Sequence, residues 1–84
     1  MKVTLKLYAA LSDYLPDAAR AGSALELDLP EGMRLTELVG RFNLPERLTH
    51  LVLVNGLYVA PAERAARMLG EGDVVAIWPP IAGG

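Results

Sequence analysis

The group in this sequence most open to chemistry is its end. The 84 residues close on Trp78-Pro79-Pro80-Ile81-Ala82-Gly83-Gly84. A free Gly84 α-carboxyl has a reference pKa of about 3.3–3.7, so it is ionised at neutral pH. An ionised carboxylate is a poor electrophile and reacts at its carbon only after conversion to an ester or anhydride with a good leaving group. Two glycines make the thinnest terminus a chain can have. Pro79 and Pro80 cannot continue a strand ladder, and they hold the backbone extended. The expectation is a rigid domain over residues 1–78 that holds out a slim, flexible tail, 79–84.

No catalytic set stands beside this terminus. Ser12, Ser23, His50 and the aspartates Asp13, Asp17, Asp28 and Asp73 lack the spacing of a triad, and they read as turn and cap residues. Gly70-Glu71-Gly72-Asp73 lacks the lysine and helix of a phosphate loop, and reads as the turn that feeds the last strand. Glu63, Arg64 and Arg67 read as a solvated face, and His50 as an edge residue beginning a strand. With no cysteine and one histidine, no disulfide frame and no metal site is expected, nor a bound cofactor. The net charge is -2 and the basic residues are scattered, so nucleic acid is not an expected partner. No apolar run reaches membrane-span length, and the first residues enter a strand pattern directly. A soluble cytoplasmic domain is the default expectation.

The elements that must position the tail can be read from periodicity. Apolar residues make up 52% of the chain, which argues one folded domain rather than disorder. Val3, Leu5 and Leu7 alternate with Thr4, Lys6 and Tyr8, which predicts a strand with one buried face. Residues 9–15 predict a short helical turn closed by Pro16, and 16–23 a loop. Leu25, Leu27 and Leu29 predict a second strand over 24–29. Leu35, Leu38, Val39 and Phe42 follow helical spacing, so the main helix falls at about 34–43, and Pro45 blocks its continuation. Asn55-Gly56 between Leu51–Val54 and Leu57–Val59 is a strong hairpin signal. Residues 61–69 predict one or two helical turns, and 73–78 the final strand. One helix with four or five strands predicts an α+β fold, a mixed sheet with one main helix on one face. The β-grasp (ubiquitin-like) arrangement accommodates this order, with the first and last strands parallel at the centre.

One helix covers one face only. Alternation sends Val52, Val54, Leu57, Val59, Val75 and Ile77 toward the helix. It sends Tyr8, Leu51, Leu53, Tyr58, Val74, Ala76 and Trp78 the other way. Three of the five aromatic residues thus fall on a face that solvent alone would make polar. Exposed apolar patches with aromatic anchors mark protein contact sites, so this set is the expected partner-binding face.

Val54-Asn55-Gly56, followed by Leu69, Gly72-Asp73, Val75, Pro79-Pro80-Ile81 and Gly83-Gly84 in this spacing, resembles the ubiquitin-like sulfur carriers of the MoaD/ThiS type. Within them, the sequence most resembles the small subunit of molybdopterin synthase. The resemblance implies a carrier that is not catalytic alone. A MoeB/ThiF-like adenylating partner, using ATP and Mg2+, would convert the Gly84 carboxylate to an acyl-adenylate, and sulfur would then replace AMP to give a thiocarboxylate. It further implies that Pro79, Pro80, Ile81, Ala82, Gly83 and Gly84 insert into the large subunit of molybdopterin synthase or another sulfur-accepting enzyme. The stretch between Tyr58 and Gly72 has thiamine-type length, so sulfur delivery to thiamine, tRNA or cysteine formation stays open. So do a ubiquitin-like protein modifier and an interaction domain whose tail is inert.

Overall fold

The computed structural model describes residues 1–80. Five strands form one mixed sheet in the order β2-β1-β5-β3-β4. They are β1 (Lys2–Leu7), β2 (Ala24–Asp28), β3 (Leu51–Val54), β4 (Leu57–Tyr58) and β5 (Val74–Trp78). β1 and β5 run parallel at the centre, and β2, β3 and β4 pair antiparallel with their neighbours. This is the expected β-grasp layout.

The core lies between the sheet and the elements laid across one face. Val3, Leu5, Leu7, Val52, Val54, Val75 and Ile77 point into it, against Leu35 and Leu38 of the main helix α2 (Leu35–Arg41). Leu11, from a 3-10 turn at Ala9–Tyr14, and Leu15 close one end. The main helix is shorter than its apolar spacing predicts. It begins where the Arg34 N–H donates to Glu37 Oε1 at 3.0 Å, so a glutamate three residues on satisfies the first backbone donor. It ends where Asn43 takes a positive φ of 55° ahead of Pro45.

Two expected segments differ. Residues 16–23 are not all loop, because Asp17–Arg20 form a single helical turn, α1. Pro16 supplies its start, with Ala19 N–H donating to the Pro16 carbonyl at 2.8 Å. Residues 61–69 hold one 3-10 turn at Pro61–Glu63 and then irregular backbone. There Leu35 N–H donates to the Arg67 carbonyl at 2.9 Å and Leu69 N–H to the Met33 carbonyl at 2.9 Å, so the segment bridges to the start of α2 instead of coiling on.

The Asn55-Gly56 turn has φ of 53° and 81°, the left-handed pair that joins two twisted strands in two residues. Val54 pairs with Leu57 across it. Leu57 therefore points to the helix side, as alternation requires, yet it stays 73% exposed. It lies on an edge strand beyond the reach of the covering layer.

Candidate functional site

The pairing register fixes what the open side of the sheet presents. Leu51 lies opposite Trp78, Leu53 opposite Ala76 on one side and Tyr58 on the other, and Thr4 opposite Val74. Partners directly opposite share a face. Leu51, Leu53, Tyr58, Val74, Ala76 and Trp78 thus form one apolar strip over β3, β4 and β5. Tyr8 adjoins it through its ring, which stacks on Trp78 with centroids 4.4 Å apart and planes 6° from parallel. Leu51 is 37% and Tyr58 57% exposed. Ala76 is buried on this side, because its small side chain is flanked by Lys6 and Leu53. The other half of the face is charged: Lys2 pairs with Asp28 and Thr4 with Glu26 on β1 and β2, with Lys2 Nζ 3.5 Å from Glu26 Oε1. The open side is a composite, apolar over the last strand and ionic over the first hairpin.

The strip ends at Trp78, just before Pro79 and Pro80. Tyr8 N–H donates to the Ile77 carbonyl at 3.1 Å, and His50 N–H to the Trp78 carbonyl at 3.1 Å. Trp78 is thus gripped from both sides immediately before Pro79. Pro79 is half-buried and Pro80 exposed. Ile81, Ala82, Gly83 and Gly84 lie outside the described residues.

The other end of β5 is held by side chains named in the sequence motif. Asn55 Nδ2 donates to Asp73 Oδ1 at 2.8 Å, Asn55 Oδ1 accepts from Val74 N–H at 2.9 Å, and Asp73 Oδ2 accepts from Gly70 N–H at 2.8 Å. One amide and one carboxylate tie the hairpin turn to the turn that launches the last strand. Their role is architectural.

Arg64 corrects the expected solvated face. It is only 8% exposed. Its Nε donates to the Val59 carbonyl at 3.2 Å, Nη1 to Thr49 at 2.7 Å and Nη2 to His50 at 3.2 Å. Nothing in the local pattern singles it out, because two of its three acceptors, Thr49 and His50, lie about fifteen residues earlier. Glu63 is exposed and Arg67 half-exposed, as a solvated face requires. Among the described residues, no cluster of histidine, aspartate or glutamate could hold a metal ion, and no helix is long and apolar enough to cross a membrane.

A five-stranded mixed sheet with parallel central strands and one main helix across one face is the β-grasp arrangement of the ubiquitin-like class of small proteins. Solved structures bear this out. Subunit 1 of a putative molybdopterin converting factor from Pyrococcus furiosus superposes with a TM-score of 0.68 at 27% identity, over 95% of this chain and 98% of that one. The small archaeal modifier protein 1 of Haloferax volcanii gives 0.63 at 22% identity, over 95% and 98%. A complex of subunits 1 and 2 of the molybdopterin-converting factor from Helicobacter pylori contains a chain similar at 0.59 and 16% identity, over 100% of both. No curated protein matches. The ThiS family matches residues 15–84, through both terminal glycines, and the chain belongs to it.

Proposed function

We propose that this protein carries sulfur on the carboxyl group of Gly84. The family match through Gly83-Gly84 carries the reading, and the apolar strip ending at the root of the tail supports it. A carboxylate oxygen of Gly84 attacks the α-phosphorus of Mg-ATP held by an adenylating enzyme. Pyrophosphate leaves and an acyl-adenylate forms. A hydrosulfide-equivalent nucleophile then attacks the acyl carbon, the C–S bond forms, the C–O bond to AMP breaks, and the product ionises to a thiocarboxylate. The carrier supplies position and the enzymes supply the chemistry. Its sulfur arrives as part of a docked protein, so the transfer runs within a complex.

The receiving pathway in this proposal is molybdopterin formation. The 27% identical relative bears a molybdopterin converting factor name, and the Ile77-Trp78-Pro79-Pro80 tail supports the same assignment. The partner is then a large synthase subunit that accepts residues 79–84 and packs on the strip around Trp78. ATP–pyrophosphate exchange catalysed by the cognate adenylating enzyme tests the first step. Exchange should depend on this chain and vanish when Gly83 and Gly84 are deleted. Exchange that persists after the deletion rejects the assignment.

A further inference from the structure

Arg64 is a cation almost wholly removed from water, yet among the described residues no carboxylate lies within ion-pair distance of it. Carbonyl oxygens alone satisfy it. The shortest of its bonds, 2.7 Å from Nη1, goes to Thr49. The Thr49 carbonyl and the His50 N–H belong to one peptide group, and that N–H donates to the Trp78 carbonyl at 3.1 Å. The Trp78 carbonyl in turn belongs to the peptide that joins Trp78 to Pro79. A planar peptide moves as a unit. The guanidinium, the 49–50 peptide and the 78–79 peptide therefore form one hydrogen-bonded line, from the interior on the helix side to the root of the tail. A charged donor on a carbonyl polarises the amide and strengthens the bond made by its N–H. Nη2 on the next carbonyl, that of His50, stops the loop from rotating about this line.

We propose that Arg64 is a positioning residue for the tail: through the Thr49-His50 peptide it fixes the Trp78–Pro79 peptide and so sets the direction in which the chain leaves the domain. Tyr8 holds the same residue from the opposite side through the ring stack and through its bond to Ile77. The stack restrains the Trp78 side chain, and the His50 bond, beside the ladder pairing of Leu51 with Trp78, restrains its carbonyl. Lysine at position 64 would keep the charge but lose the planar fork that spans three carbonyls. The consequence for activation rests on the sulfur-carrier reading above. A tail that leaves in several directions is competent for docking only part of the time, which raises apparent KM in proportion and leaves kcat unchanged.

The test is Arg64→Lys, read two ways. In amide exchange by NMR, the His50 N–H should exchange about 10–100-fold faster relative to the Thr4 and Asn55 amides, which bond at the far end of β5. In adenylation, KM for the carrier should rise about three- to tenfold at constant kcat. Equal acceleration of all three amides, or none, would show a merely structural arginine and overturn the proposal. So would a fall in kcat at constant KM. If the wild-type chain is not adenylated at all, the carrier reading fails, and exchange alone decides the role of Arg64. Should the variant not fold, the wild-type protein still decides. A through-hydrogen-bond coupling between His50 N and the Trp78 carbonyl carbon, with slowly exchanging Arg64 Nε–H, is the expected result; their absence refutes the line.

Discussion

At the residue scale, a few side chains hold more than their neighbourhood suggests. Asn55 combines a backbone φ of 53° with bonds to Asp73 and to Val74 N–H. Asn55→Ala removes both bonds and leaves alanine in a left-handed conformation. It should cost about 2–3 kcal/mol in urea denaturation. Asp73→Ala should cost a similar amount, and the double variant clearly less than the sum, because the two share a bond. Ala9 is strained in a different way. It sits at φ 52° directly after Tyr8, where an L side chain is disfavoured. Ala9→Gly should therefore be neutral or stabilising, by up to about 1 kcal/mol, whereas glycine in a helix or strand interior would destabilise. A thermal melt that falls by several degrees would show that the methyl group has a packing role.

At the element scale, what was legible in the sequence was whatever is fixed within a few residues. The alternation of Val3, Leu5 and Leu7 gave the buried face of β1, and Asn55-Gly56 gave the hairpin and its register. The spacing of Leu35 and Leu38 gave the main helix, though not its ends. Helix ends depend on where orphan donors find partners, here Glu37. Glu37→Ala should lower stability by about 1 kcal/mol without changing the sheet, measured by urea denaturation followed by circular dichroism. What was missed depends on distant chain. A single helical turn such as Asp17–Arg20 is below the length at which a helix stands alone, so no periodicity announces it. Leu57 has the orientation that alternation requires, but its exposure follows from where the covering layer stops. Arg64 looked like one charge among several, because its acceptors on Val59, Thr49 and His50 are brought to it only by the fold.

At the scale of the whole molecule, the open side of the sheet separates two jobs. The helix side makes the core, and the strip from Tyr58 to Trp78 is left apolar without being needed for that core. Tyr58→Asp should then change folding stability by no more than about 1 kcal/mol, while weakening capture by the adenylating enzyme or the sulfur-accepting subunit at least about tenfold, as titration calorimetry would show. The same substitution at a core position such as Val52 would unfold the domain. The proposed carrier function rests on the terminal carboxyl, and its most direct measurement is the mass of that group. After incubation with the cognate adenylating enzyme, Mg-ATP and a sulfur donor, fragmentation mass spectrometry of the C-terminal peptide should show one oxygen replaced by sulfur at Gly84, and no change when ATP is withheld. A terminal carboxylate that stays unmodified while the enzyme turns over ATP on another carrier would contradict it.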